Sequence, residues 1–158
     1  MAGFGDPQLS TVDASALSLG IVGSTWHQDL VDHMVDRAQA AAKACGVREV
    51  IVARVVGAVE LPVVAQALAR RCDAVIAIGV VIRGESAHFT YVCESVTQGL
   101  TRVALDESTP VAQAVLTVDS FDQARDRAGL ENSAEDKGWA STVAALGAAL
   151  ALDAVRGP

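Results

Sequence analysis

The chain has 158 residues, of which 51% are hydrophobic and 20% are charged, and its formal net charge is −7. This composition is that of one globular domain with an apolar core, and it excludes a disordered protein. Because an acidic surface repels phosphates, we expect no nucleic-acid partner, and an anionic ligand would need the few cations or backbone N–H groups gathered around it.

The cysteines and the chain ends set the expected compartment. Cys45, Cys72 and Cys93 lie in or beside apolar stripes and lack the paired spacing of a zinc site. An odd number of cysteines and the lack of a signal-peptide pattern favour a reducing cytoplasm. The longest apolar runs, 74–82 and 143–152, are too short to span a bilayer. We therefore expect a cytoplasmic protein without a membrane segment.

The first half of the chain begins with a polar stretch at 1–16 that has no hydrophobic period, which predicts an N-terminal arm ahead of a single domain at 17–158. Residues 17–22 form an apolar run, and a Gly-Ser-Thr turn follows at 23–25. This pattern indicates a buried strand that leads into the N-cap of a helix. From 27 to 45 the apolar residues recur at spacings of one, three and four. This pattern predicts an amphipathic helix stopped by Gly46.

The rest of the chain alternates between strand and helix patterns. A β-branched run at 49–56 predicts a strand, and Pro62 suits the first turn of a helix reaching about residue 71. Residues 74–82 are apolar without alternation, as in a strand buried on both faces. The remaining predicted elements are a helix at 89–103, a strand at 111–118, a short helix at 120–128 and an Ala-rich helix at 138–155. This order predicts an α/β fold with a four-stranded parallel sheet.

The turn after the third strand is the best candidate for a ligand site, because ligands of open parallel sheets bind beyond the carboxyl ends of the strands. Gly84 permits an unusual backbone turn there. The N–H groups of Gly84, Glu85 and Ser86 would then point outward at a helix N-terminus, which suits phosphate. An ordinary turn with Ser86 as the N-cap fits the same residues.

Three further side chains follow strand ends. His88 lies in the first helical turn, where the helix dipole disfavours imidazolium, so a neutral imidazole could accept and return a proton or could only bond the loop. Trp26 could stack on a heteroaromatic ligand or cover the local core. Glu60 could accept hydrogen bonds from a polyol or amine, or neutralise a nearby cation.

Residues near the C-terminal helix have simpler explanations. Arg127 complements the dipole at the end of the short helix, and Lys137 is explained as a solvated charge or a local ion pair. Asp119, Asp122 and Asp126 lack the regular loop of a calcium site, so we predict no metal. Composition and spacing therefore indicate a phosphate-capable turn, a nearby histidine and an aromatic stacker, without specifying a reaction.

Taken together, these segments resemble the lumazine synthase family over residues 17–152. The matching strings are Gly57-Ala58-Val59-Glu60-Leu61-Pro62, GxVIRGxxxHF at 79–89, Tyr91-Val92-Cys93, Arg127-Ala128-Gly129 and Lys137-Gly138. The resemblance implies a three-layer, flavodoxin-like sandwich. It also implies the penultimate step of riboflavin biosynthesis: 5-amino-6-(D-ribitylamino)uracil condenses with 3,4-dihydroxy-2-butanone 4-phosphate to give 6,7-dimethyl-8-ribityllumazine, phosphate and water, without a cofactor.

The resemblance also implies a role for each candidate residue. Trp26 stacks on the pyrimidine, and His88 shuttles protons. The ring and ribityl chain are held by Ala58, Val59, Glu60, Val80, Val81, Ile82 and Gln113. The phosphate is held by Gly84, Glu85, Ser86, Arg127 and Lys137. This chain departs from the family at three positions. Many relatives have Phe at the position of Trp26, the position of Gln113 is often Phe or Asn, and Glu85 brings a carboxylate beside the phosphate.

The family implies a homopentamer with active sites between adjacent subunits, in which Arg127 and Gln113 come from the neighbour. The N-terminal arm could add a strand to a neighbouring subunit. The segment 130–137 is longer than in shell-forming relatives, which favours an isolated pentamer over an icosahedral 60-mer. The alternative functions are an archaeal-type riboflavin synthase, and a non-catalytic flavin carrier or shell-forming scaffold of the same fold.

Overall fold

Strands and helices alternate along residues 5, 7 and 9–158, which are the residues that the computed structural model describes. The elements are β1 (Ser18–Ser24), α1 (Gln28–Ala44), β2 (Glu49–Val55), α2 (Leu61–Ala69), β3 (Ala74–Ile82), α3 (His88–Asp106), β4 (Val111–Val118), α4 (Phe121–Arg125) and α5 (Lys137–Arg156). A 3-10 turn at Ala58–Glu60 precedes α2. The α/β class and the order of the predicted strands and helices are confirmed.

The four strands form one sheet in the order β2-β1-β3-β4, and every neighbouring pair is parallel. This confirms the predicted parallel sheet. It places the carboxyl ends of β1 and β3 side by side in the middle of one edge, with β2 and β4 outside them. The turns that follow all four strands therefore meet at that edge.

Helices cover both faces of the sheet, which confirms the three-layer, flavodoxin-like sandwich. One core cluster packs α1 and α5 against residues such as Ile21 and Ile76. A second packs α2 and α3 against residues such as Val22 and Val75. Because β3 alternates its side chains between the two cores, it is apolar at almost every position, as the run at 74–82 predicted.

Two helix boundaries differ from the sequence prediction. Gly23 and Ser24 belong to β1, where they pair with Arg54 and Val55, so the predicted cap at 23–25 is wrong and His27 precedes α1 instead. The helix predicted at 120–128 ends at Arg125, because the chain turns back toward Asp136 and forms an isolated antiparallel bridge with it at Ala128.

The last helix spans 20 residues, close to the predicted 138–155, and a window of it has a mean hydropathy of 1.4. By length and composition this helix would suffice to cross a membrane, so the expectation that every apolar segment is too short to span a bilayer is wrong. In the fold its inward residues Val143, Leu146 and Ala149 are buried against α1 and the sheet. The apolar character of α5 is thus explained in part by packing within the chain.

The end of the predicted N-terminal arm contacts the domain. The backbone N–H of Ala14 donates to the carbonyl of Cys45 at 2.8 Å, and Ala14 is fully buried. Residues 1–4, 6 and 8 lie outside the described part of the chain, and the pairing of the arm with a neighbouring subunit stays a prediction.

Candidate active site

A cleft of about 350 Å³ opens at the carboxyl ends of β1, β2 and β3 and is closed on one side by the start of α3. Its lining residues are Trp26, His27, Gly57, Ala58, Val59, Val80, Val81, Ile82, Gly84, Ser86, His88, Phe89 and Val92. Apolar walls with a few convergent polar groups are typical of small-molecule sites. The cleft lies where the topology of a parallel sheet predicts it.

The aromatic side of the cleft is formed by the turn after β1. The Trp26 side chain is 65% exposed, so it does not cover the local core, and one face is available to a ligand. His27 follows in the left-handed region at φ 54° and ψ 49°, which costs a non-glycine residue about 1 kcal/mol. Sequence reasoning missed His27 as a cleft residue, because its strained backbone gives no periodic signal.

The turn after β3 brings the start of α3 to the cleft. Gly84 has no positive φ, so the unusual turn predicted for it is wrong; a Cβ there would meet nothing within 4 Å. The absence of a side chain at Gly84 leaves open space at the cleft rather than relieving strain. A ligand group can approach the backbone at this position.

The first turn of α3 offers donors for an anion. Ala87, rather than Ser86, is the N-cap residue, and it makes no side-chain cap. The Ser86 hydroxyl instead accepts a hydrogen bond from the His88 backbone N–H at 3.4 Å. Since the helix is 19 residues long and its N-cap residue Ala87 offers no side-chain acceptor, this end carries the positive pole of a full helix dipole.

Arg83 holds this turn from outside the cleft. Its Nε donates to Asp119 Oδ1 at 2.6 Å, and its guanidinium lies 4.3 Å from the centroid of the Phe89 ring. These contacts tie the end of β4 to the first turn of α3. Arg83 does not line the cleft, so it fixes the wall that Phe89 forms without adding its charge to the cavity.

Glu60, Glu85 and Gln113 do not line the cleft. The Glu60 carboxylate accepts a hydrogen bond from the Gly57 backbone N–H at 2.6 Å, so it stabilises the turn after β2. Gln113 lies on β4, where its side-chain amide donates to the Thr101 hydroxyl at 3.2 Å. Glu85 is exposed beside the α3 turn.

Arg127 and Lys137 also lie away from the cleft of their own chain. Arg127 Nη1 donates to the carbonyl of Gln123 at 2.9 Å, which confirms its predicted contact with the end of α4. Its Nε lies 3.6 Å from Glu135 Oε1, and the Lys137 ammonium pairs with the other oxygen of that carboxylate. The predicted local ion pair of Lys137 is therefore present, and one carboxylate brings the two cations together.

A second cavity, of about 450 Å³, lies against α4 and the loop after it and is bordered by Asp122, Asp126 and Glu131. Although it is larger, it is away from the strand ends, and none of the described residues that line it is aromatic. Within residues 5, 7 and 9–158, no three His, Cys, Asp or Glu side chains are grouped as metal ligands would be. The cleft at the strand ends is the better candidate for catalysis, since it alone combines apolar walls with a histidine and a helix N-terminus.

Comparison with known proteins shows which family the chain is similar to. The sequence model of 6,7-dimethyl-8-ribityllumazine synthase matches residues 16–153. The chain is 68% identical to the 6,7-dimethyl-8-ribityllumazine synthase of Salinispora arenicola over 152 residues, covering 96% of this chain and 92% of the relative. It is 57% identical to the enzyme of the same name from Mycolicibacterium gilvum over 158 residues, covering 100% and 99% of the two chains. The match spans all the elements that build the cleft.

Proposed function

Since the chain belongs to the 6,7-dimethyl-8-ribityllumazine synthase family, we propose that it condenses 5-amino-6-(D-ribitylamino)uracil with 3,4-dihydroxy-2-butanone 4-phosphate, a transferase reaction of riboflavin biosynthesis. The observation that carries this proposal is that Trp26, His88 and the N-terminus of α3 share one cleft. A flat ring, a proton carrier and an anion site are what these two substrates require together.

Different parts of the cleft hold the two substrates. The exposed face of Trp26 stacks on the pyrimidine, while the backbone around Ala58, Val59 and Val80–Ile82 holds the ring and the ribityl chain. Glu60 is one residue beyond this wall and would turn from the Gly57 N–H toward a ribityl hydroxyl. The phosphate lies at the α3 terminus, beside Gly84, Glu85 and Ser86.

Catalysis in this arrangement is mainly positioning. The 5-amino nitrogen attacks the ketone carbon, and a first water leaves as the C=N bond forms. The C–O bond to the phosphate then breaks, phosphate departs, and the enol that remains becomes a ketone. The ribitylamino nitrogen attacks this second carbonyl and a second water leaves, which closes the ring; His88 carries protons in these steps. Because amine and ketone react readily once they are aligned, proximity supplies most of the acceleration. Proton transfer by His88 adds at most about 10²–10⁴-fold. No step needs a redox cofactor.

A neighbouring subunit completes the site on this proposal. Arg127, Lys137 and Gln113 lie outside the cleft of their own chain, so they can serve only the cleft of another copy. The outer surface near the cleft also exposes large apolar side chains, including Val63 and Tyr91, which are typical of a subunit interface. We propose a cytoplasmic homopentamer, and not a 60-mer, because the segment 130–137 lengthens the connection before α5.

The decisive experiment is incubation of the purified protein with both substrates. Lumazine fluorescence that appears together with equimolar phosphate release supports the enzyme, whereas ligand binding without turnover would indicate the non-catalytic flavin carrier. Conversion of lumazine into riboflavin would indicate the archaeal-type riboflavin synthase, which the named relatives do not favour. Trp26→Phe serves as a control that retains a stacking ring, and Trp26→Ala should raise the KM for the pyrimidine.

His88→Ala tests the proton carrier. We expect turnover to fall by about tens of fold, from the low end of acid–base contributions. Loss of all activity in a correctly assembled variant would mean that His88 does more than move protons.

Subunit mixing tests the shared site. Trp26→Ala impairs the cleft, and Arg127→Ala impairs the cations. If each site takes its cleft from one subunit and its cations from the neighbour, about a quarter of the sites in a co-refolded 1:1 mixture have both parts intact. Activity in the mixture should therefore exceed the mean of the two pure variants. A mixture that only averages them would show that each chain contains its own complete site.

A further inference from the structure

The cation loop, which we define as residues 126–137, holds Arg127 and Lys137 in a small antiparallel arrangement. The Gly129 N–H donates to the Glu135 carbonyl at 3.0 Å, and the Lys137 N–H donates to the Arg127 carbonyl at 3.0 Å. The Glu135 carboxylate is only 12% exposed and contacts both cationic side chains. The separation of the two cations is therefore set by the backbone of the loop and by one carboxylate.

Asp136 fastens this loop to α1. Its Oδ2 accepts a hydrogen bond from Arg37 Nε at 2.6 Å, and its Oδ1 accepts one from the Trp139 backbone N–H at 3.0 Å, which caps α5. The Arg37 guanidinium also lies 5.1 Å from the centroid of the Trp139 ring. We call these three side chains the Arg37 clasp. Since the side chains of Arg37 and Asp136 are only 35% and 27% exposed, solvent screens their pairing less than it screens a surface ion pair.

Two further close contacts leave the loop little freedom around the clasp. His33 Nε2 donates to the Gly129 carbonyl at 2.9 Å, which joins the loop to α1 a second time. Gly129 has a φ of 79°, and a Cβ there would lie 2.5 Å from Asp136, so only glycine allows the loop to approach that carboxylate. The contacts of α1 with the loop are polar and directional rather than apolar packing alone.

We infer that Arg37 is a positioning residue for the phosphorylated substrate, because it fixes the cation loop through Asp136 and so orients Arg127 and Lys137. This inference rests on the proposed function, in which the two cations hold the phosphate. Arg37 does not line the cleft and acts only through the loop. Its loss would leave the backbone cap of Trp139 as the main bond of Asp136, and the two cations would pay a larger ordering cost when phosphate binds.

The test is a comparison of Michaelis constants for the two substrates. Arg37→Met removes the charge and keeps an aliphatic side chain of similar size. Arg37→Lys keeps a positive charge without the planar guanidinium group. We expect Arg37→Met to raise the KM for the phosphorylated substrate about tenfold, as loss of one charge-assisted bond implies. The KM for the pyrimidine should stay within about twofold, and Arg37→Lys should restore part of the loss. Arg102→Met is the matched control, since Arg102 pairs with Asp106 at 2.9 Å on an exposed face of α3.

A double-mutant cycle separates positioning from general stability. In the Arg127→Ala background, Arg37→Met should change the KM for the phosphorylated substrate by less than half as much, because one of the cations that it orients is absent. Equal effects in both backgrounds, or equal rises in both Michaelis constants, would overturn the inference. Should Arg37→Met fail to assemble, Arg37→Lys and Asp136→Asn provide the same comparison.

Direct binding of inorganic phosphate distinguishes the two proposals. If the unmodified protein makes no lumazine, the proposed function fails. A weaker calorimetric Kd for inorganic phosphate in Arg37→Met than in Arg102→Met would still support the clasp. If turnover is normal and both variants bind phosphate as the unmodified protein does, the inference about Arg37 fails alone.

Discussion

Two glycines of α5 allow the contact between α5 and α1 to be measured. Gly138 lies in the first turn of α5 and faces α1, where an added Cβ would lie 2.4 Å from the backbone carbonyl oxygen of Met34. Gly147 lies later in the same helix, and a Cβ there would meet nothing within 4 Å. Gly138→Ala and Gly147→Ala are therefore the same chemical change in the same helix with different surroundings.

The expected difference in stability follows from these distances. Each change favours the helix by about 0.5–1 kcal/mol, which cancels in the comparison. A carbon normally stays about 3.3 Å or more from a carbonyl oxygen, so Gly138→Ala must push the start of α5 away by about 1 Å. Overpacking of this kind costs roughly 1–3 kcal/mol. For a chain of this size, Gly138→Ala should melt roughly 2–12 °C below Gly147→Ala.

The assay is thermal unfolding of both variants and the unmodified protein at one concentration, because the Tm of an oligomer depends on concentration. Gly147→Ala should melt at or slightly above the unmodified protein. Since Lys137 adjoins Gly138, we also expect Gly138→Ala alone to raise the KM for the phosphorylated substrate. If the two variants melt together, the close contact between α5 and Met34 is not part of the folded protein in solution and the reasoning fails.

Three further changes probe single contacts of the fold. Hydrogen bonding to Arg70 lowers the pKa of Glu107 below its ordinary value of 4.5. The ionised Glu107 therefore stabilises the fold above that pH, and this contribution is lost as the pH falls through the lowered pKa. Between about pH 6 and pH 3, the Tm of Glu107→Gln should fall less than that of the unmodified protein. Arg54 pairs with Asp32 and donates to the Ser24 carbonyl at 3.1 Å, so it holds the turn that carries Trp26. Arg54→Met should therefore raise the KM for the pyrimidine severalfold and leave the KM for the phosphorylated substrate unchanged. The buried Ser24 hydroxyl has no hydrogen-bond partner within the described part of the chain, so Ser24→Ala should leave the Tm unchanged or raise it. A loss of more than about 1 kcal/mol in the free energy of unfolding would reveal a partner.

The elements could be predicted from the sequence because each burial pattern has its own period. β3 is apolar at almost every position since both of its faces are covered, and α1 repeats at helical spacing since one face is covered. The boundaries were less predictable where tertiary contacts decide them. Ser24 continues β1 because Val55 pairs with it, and α4 stops at Arg125 because the chain bridges back to Asp136. No local pattern encodes these contacts.

The cleft could be predicted only as far as topology determines it. Trp26 and His88 were expected to share a cavity because both follow strands of one parallel sheet, and they do. His27 was missed, since a left-handed residue beside the cleft has no sequence signature other than a tolerant residue type. The Arg37 clasp was also invisible, because Arg37 and Asp136 are far apart in sequence and each looks like an ordinary surface charge.

On the proposed function, the distribution of charge explains why the phosphate site needs a neighbouring subunit. Among the described residues that line the cleft there is no lysine or arginine, and the Arg83 charge beside it is bound to Asp119. The chain instead keeps Arg127 and Lys137 together on Glu135, away from its own cleft. A net charge of −7 repels a phosphorylated ketone, so the helix N-terminus of a lone subunit would bind it weakly. In the proposed shared site, a neighbour's cation pair opposite that terminus would supply the missing positive charge only in the assembled protein, and phosphate affinity would then depend on assembly as well as on the cleft.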